Sequence, residues 1–393
     1  MTEAPTWRRE PYRLFFPLGV LLAWAGLFHW VLFALGLSTE YRSIFHSIAQ
    51  IQGFLMSFAV GFLFTAIPRR TGTAAPAAWE MVIGLAAPVL TTVAAWFGRF
   101  EWAQLPWLVL VVTLIAFVVR RFRSSAATRR PPSSFVWIPF GLLVGIGGVV
   151  SFTIYGIRGA QPEWLHDLGE LMLLQGVFLS LVIGVGGMVI PLICHGESST
   201  DGTKAGCVTH VVVAIALLGT FALEVFASAR LGLAARGALV LGVLLVQSRI
   251  HRAPTRPGLQ RGFVWISAWA VPLGYLVAAL LYPNIQPGLH VTFVAGFALM
   301  ALSVGLHVTF AHGGRQDLVL GRPWQVAVFG VLVLFATVLR TMVNLDPANR
   351  NLWIGVSAGV FLIGTVFWLW TVVATTVAPM TGTATEGAAR ANR

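Results

Sequence analysis

The chemistry open to this chain rests on nine histidines, two cysteines and a few acids. Neutral imidazole is an axial ligand for haem iron and a ligand for copper. His29, His46, His166 and His290 stand toward one end of long apolar stretches, and His195, His210, His307 and His312 toward the other. His251 lies in a basic loop. An ionisable group inside a bilayer or at its edge is costly and usually faces a cavity, a partner or a cofactor. His46 and His290 are the pair expected to clamp one haem b, with His29 a further candidate. Each of the pair opens a stretch holding Gly53 and Gly61, or Gly296 and Gly305, and small residues leave room for a flat cofactor or for close helix packing. A second reading stays open: these are interfacial histidines bonded to headgroups or water. His166 and Glu170 share one helical face, which suits proton transfer or orientation of a second metal such as copper. Asp167 reads more simply as an acid at a positive helix N-terminus.

At the opposite end Cys194-His195 and Cys207-x-x-His210 bracket a short loop. Thiolate with imidazole binds copper or zinc, but this spacing matches no standard zinc pattern, and two helix ends of small residues explain it more simply. His307 and His312 are five apart and point about 140° from each other on a helix, so they do not share a metal. His312 is kept as a separate metal candidate. Glu80, Glu224 and Arg340 are expected at interfaces, snorkelling to water. There is no P-loop, no G-x-S-x-G and no H-E-x-x-H.

The elements that must hold these residues are membrane helices. Of 393 residues, 57% are hydrophobic and 10% charged, whereas soluble domains carry roughly a quarter charged residues. A crossing helix needs about 20 apolar residues. Such stretches predict an all-α integral membrane protein with spans near 14–37, 44–67, 77–97, 103–119, 135–156, 165–193, 206–226, 231–246, 262–283, 290–311, 323–343 and 352–377; the fourth and eighth are short. The net charge of +12 does not indicate nucleic acid. Nineteen of the 26 basic residues fall on the N-terminal side of these spans and five (Arg42, Arg99, Arg158, Arg230, Arg350) on the other; Arg236 and Arg340 lie within spans. The positive-inside rule then places both termini in the cytoplasm of a bacterial-type inner membrane. The first span is read as a retained helix rather than a signal peptide. The cysteines, near the cytoplasmic face, are expected to be reduced. Residues 1–379 form one membrane domain, and 380–393 read as a mobile cytoplasmic tail.

Phe135-Val136-Trp137-Ile138 opens the fifth span and Phe263-Val264-Trp265-Ile266 the ninth, a four-helix period. The second, sixth and tenth spans each begin near His46, His166 or His290 and end in related corners, Ile67-Pro68 to Gly72, Ile190-Pro191 to Gly196, and Thr309-Phe310 to Gly314. Three repeats of four helices follow (1–130, 131–258, 259–379), though interfacial Trp and helix-end Gly or Pro produce similar patterns.

Three stretches, with the opening Tyr12-Arg13-Leu14-Phe15-Phe16-Pro17, resemble the NnrS family across nearly the whole chain. Gly61 to Pro68 with Thr71-Gly72 is similar to its G-F-L-L-T-A-x-P-x-x-T-G, and Gly186 to Pro191 to its G-G-R-x-I-P. His290 to Met300, running on to Ala311-His312-Gly313-Gly314-Arg315, is similar to its H-x-x-T-x-G segment and G-H-T-G-R corner. The resemblance implies a membrane protein that binds haem and copper and serves in nitric oxide response, nitrosative stress and denitrification. Departures are clear: Ser47, Ile48 and Ala49 follow His46 where the family has H-x-H-E, Met188 replaces its Arg, and His307 stands where an Arg precedes the corner. These imply an altered metal inventory. The helix count and histidine placement are also similar to the catalytic subunit of haem-copper oxidases and nitric oxide reductases, although only His166 stands where those enzymes place three histidines. The expected role is binding or reducing nitric oxide, or electron transfer, with electrons from quinol or a partner protein; turnover stays open. The alternatives are a transporter and a cytoplasmic-face metal or redox sensor.

Overall fold

The computed structural model describes residues 4–377, so the expected tail at 380–393 lies outside the described residues. Twelve helices in it are long and apolar enough to cross a membrane. They are α1 (Tyr12–Ala34), α2 (Ser43–Thr71), α3 (Ala78–Trp96), α4 (Phe100–Phe122), α5 (Ser133–Ile157) and α6 (Glu163–His195), followed by α7 (Lys204–Phe226), α8 (Ala229–Gln247), α9 (Leu259–Leu280), α10 (Gln286–His312), α11 (Trp324–Leu345) and α12 (Pro347–Thr376). The spans read as short from hydropathy lengthen to ordinary helices, because backbone hydrogen bonding continues past the apolar window through Glu101 and Gln104 of α4 and past Arg120 and Arg121 at its other end. The corners at Gly72 and Gly196 end α2 and α6 in the left-handed conformation, φ 71° and 72°, which glycine adopts without strain.

Burial ranks the helices. The apolar windows of α2, α6 and α10 are 83%, 78% and 61% buried, against 22% for α7, so the histidine-bearing helices are central and α7 faces outward. Aromatic contacts join them: Phe16 of α1 stacks on Phe58 of α2 at 4.8 Å, Phe58 meets Trp368 of α12 at 5.5 Å, and Phe178 of α6 meets Phe297 of α10 at 5.1 Å. Such pairs add roughly 0.5–1.5 kcal/mol beyond area burial. Where α9 crosses α10 the backbones nearly touch. A Cβ on Gly288 would sit 2.2 Å from the Ala278 nitrogen, and one on Gly274 would sit 2.3 Å from Thr292 Oγ1, so only glycine fits at either position.

The same three central helices each contain a π-helical stretch just past their histidine: Ala49–Leu55, Leu171–Gly176 and Val291–Ala298. The π-helix is rare and gathers at functional sites, since each wide turn shifts the side chains that follow. Two of these stretches carry matching residues. Gln52-Gly53 precedes Ser57 and Gln175-Gly176 precedes Ser180, and each serine hydroxyl donates to its glycine carbonyl, at 2.7 and 2.6 Å.

At the basic end of the bundle Glu80 is buried rather than interfacial. It accepts from Arg120 at 2.6 Å and from Arg121 at 2.9 Å, and its second role is to bond the Ala77 nitrogen that opens α3. Two guanidinium groups keep its charge away from apolar surroundings, which removes the reason for it to reach water.

Candidate functional site

The ends of α2, α6, α10, α11 and α12 on the histidine-bearing side surround a cavity of about 1640 Å³. An ordinary small-molecule pocket holds roughly 300–1,000 Å³. His46, His166 and His290 all line it.

His46 and His290 are held in the same way. His46 Nδ1 is 2.9 Å from the Gly26 carbonyl of α1, and His290 Nδ1 is 2.8 Å from the Gln286 carbonyl one turn earlier in α10. A carbonyl only accepts, so Nδ1 carries the proton and the lone pair sits on Nε2. Among the described residues neither Nε2 makes a hydrogen bond. Gly26 permits the first contact, because a Cβ there would lie 2.5 Å from the Gln50 amide and 2.8 Å from Ala49. A ring fixed through Nδ1 with a free Nε2 is the arrangement a metal-binding histidine uses. His290 is within electrostatic reach of His46, and both are within reach of Arg340.

His166 is placed differently. Its Nδ1 is 3.4 Å from Asp167, and its ring packs beside Phe152 and Tyr155. Glu170 lines the cavity with it, as the shared helical face predicts. His29 is not among the residues lining the cavity. It is buried behind His46, its ring 6.2 Å from that of His46 and 4.2 Å from that of Trp30.

The residues considered at the basic end are not drawn together. Cys194 is buried with its thiol toward the Arg261 carbonyl, while His210 accepts from the Trp137 indole at 3.1 Å through Nδ1. His195 and Cys207 are half-buried. His312 packs its ring 5.4 Å from Tyr12, far along α10 from His290. Among the described residues no three His, Cys, Asp or Glu side chains converge as a ready-made metal site.

A network of polar groups whose pairing the sequence does not show lies in and behind the cavity wall. Arg236 of α8 is fully buried and donates to Glu224 at 2.6 Å, to Gln175 at 2.8 Å and to Thr220 at 3.3 Å. Its guanidinium lies 4.1 Å from the Phe221 ring centre and 5.3 Å from that of Tyr275. Glu224 therefore does not snorkel, because its charge is met inside the bundle. Gln52 and Gln104 pair their amides in both directions, at 2.9 and 3.2 Å. Arg340 lines the cavity, and its Nη1 is buried with no hydrogen bond. For Gln52 and Gln175 the signal in the sequence is the repeated Gln-Gly before Ser; their partners lie 52 and 61 residues away and leave no local mark.

The fold and the cavity define a multi-pass α-helical membrane protein whose central helices present imidazoles to one chamber. Residues 6–379 match the family model described as NnrS protein, so the chain belongs to the NnrS family. No curated protein matches it.

Proposed function

We propose that this is a membrane haem protein of nitric oxide response, with His46 and His290 as the axial pair. The observation that carries the reading is that both imidazoles are locked through Nδ1 and offer a free Nε2 to the same chamber. NnrS membership is consistent with this role. The residues present fit a haem: two oriented nitrogens, a chamber larger than an ordinary pocket, and a mostly apolar lining with Phe54, Leu55, Phe293 and Val294. When bound, haem b would supply a one-electron iron couple; with both imidazoles on the iron that couple suits electron transfer, and binding nitric oxide would need one of them to leave. The protein's part is to hold the imidazole tautomers, to bring acids (Glu170 and Glu224) to the wall as proton carriers, and to exclude bulk water with aromatic packing. Electrons would enter from quinol or a redox partner protein. If the chain turns over, it is a haem-dependent oxidoreductase that combines two nitric oxide molecules, two electrons and two protons into nitrous oxide and water. The copper reading is less well supported, since His166 has no two further ligating side chains converging on it among the described residues.

One set of observations favours a transporter as the second reading. The buried Arg236–Glu224 pair and the three π-helical stretches put polar groups and irregular backbone at membrane depth, features expected at transport sites and not expected from the sequence. The deciding experiment is the reduced-minus-oxidised spectrum of detergent-purified protein, with a pyridine haemochrome assay. A b-type spectrum lost in His46→Ala and in His290→Ala supports the haem reading. A folded, colourless wild type from haem-sufficient cells moves the transporter to first place.

A further inference from the structure

Several arginines in this protein are matched by an acid, and the buried Arg261 instead donates to the Ile193 carbonyl at 2.6 Å. Arg236 meets Glu224, Arg120 and Arg121 meet Glu80, and Arg70 meets Asp201. The two arginines at the chamber on α11 and α12, half-buried Arg340 and exposed Arg350, meet no acid among the described residues. Arg340 and Arg350 line it, and among the described residues neither is within ion-pair distance of a carboxylate. Asp346, the acid between them in sequence, is occupied by Asn349 at 2.9 Å and Trp353 at 3.0 Å. Arg350 donates to the Tyr41 hydroxyl at 2.9 Å and lies over its ring, while Asn344 donates to Asn284 at 3.0 Å beside them. The chamber's own acids, Glu101, Asp167, Glu170 and Glu224, come from α4, α6 and α7. Arg340 Nη1 is buried with no hydrogen bond; a guanidinium donor left unpaired away from water is costly, and the fork of donors matches a carboxylate.

We propose that Arg340, with Arg350 beside it, is the receptor for a carboxylate in this chamber. The inference rests on the haem reading for its main source: the propionate groups of a porphyrin held by His46 and His290. A small free anion of the same chemistry is the other source. Charge-assisted bonds of this type correspond to a change of roughly 10–100-fold in affinity.

The test titrates full-length protein from haem-limited cells with haem and with haem dimethyl ester, whose propionates carry no charge, and with sodium formate read by thermal stability. Wild type is expected to bind haem about 10–100-fold tighter than the ester. Arg340→Gln is expected to shrink that preference to within about threefold, Arg340→Lys to keep part of it, and the midpoint potential to fall in Arg340→Gln because a positive charge near the iron is gone. The wild-type comparison of acid with ester needs no variant, so a poorly folding Arg340→Gln does not block the test. Equal binding of acid and ester with an Arg340-dependent rise in melting temperature on adding formate assigns the receptor to a free anion. Equal binding with no formate effect overturns the proposal. If no pigment binds at all, the haem reading fails separately, and the formate arm alone decides: stabilisation lost in Arg340→Gln or Arg340→Lys retains the carboxylate receptor, and no stabilisation overturns it.

Discussion

At the scale of single residues, the difference between the histidines is what their Nδ1 atoms touch. His46 and His290 each give Nδ1 to a backbone carbonyl, whereas His166 faces a carboxylate across 3.4 Å. His166→Ala is therefore expected to leave a b-type spectrum in place, unlike the same change at His46 or His290; loss of pigment in His166→Ala would put it among the haem ligands. Arg236 makes a second prediction at this scale. Arg236→Ala leaves Glu224 charged inside the bundle and Gln175 without its donor, so it should destabilise the protein by about 3–5 kcal/mol. Adding Glu224→Gln should recover part of that loss, as measured by thermal unfolding in detergent. Of these residues, the histidines were legible because imidazole is rare in apolar sequence. Arg236 was visible too, but its partner was not, since a charge pair across α7 and α8 has no fixed spacing.

At the scale of elements, α9 and α10 approach through glycine, and this contact sets how far His290 reaches into the chamber. Gly288 is two residues before His290, and a Cβ there meets the Ala278 backbone at 2.2 Å. Gly288→Ala is expected to push α10 outward at a cost of about 1–3 kcal/mol. Because the ligand helix moves, the haem spectrum should shift as well as the melting temperature; a changed melting temperature with an unaltered spectrum would separate the crossing from the site. The helices themselves were readable, with span positions set by hydropathy. The π-helical stretches were not, because a widened turn depends on what packs against it: in α2 it brings Gln52 to Gln104, and in α6 it brings Gln175 to Arg236.

At the scale of the molecule, most of the basic residues and the chamber lie at opposite ends of the bundle, and an even number of spans puts the start of α1 and the end of α12 at the same end. Thr375 of α12 packs against Gly313 beyond the close of α10, consistent with that arrangement. With Cys194 and Cys207 replaced, a membrane-impermeant maleimide should label Thr39→Cys in intact spheroplasts and should label Ser125→Cys only after lysis. The reverse pattern would place the chamber on the cytoplasmic side and overturn the orientation inferred from arginine distribution. A histidine followed by a π-helical stretch recurs on α2, α6 and α10, four helices apart.

Hydropathy, the arginine distribution and the placed histidines were enough to determine twelve spans, a membrane location and the two residues worth testing first, because each depends on the cost of putting a side chain into hydrocarbon. That cost is paid locally and is written into every window of about 20 residues. The chamber was decided only by the tertiary structure. His46 presents a free Nε2 because Gly26 lets α1 come close enough to accept from its Nδ1, and the unpaired Arg340 is recognisable only once every acid on twelve helices has been placed. The same holds for Glu80 and Glu224, which hydropathy assigned to interfaces and packing drew inside, since a charge stays buried when its counter-charge arrives from another helix.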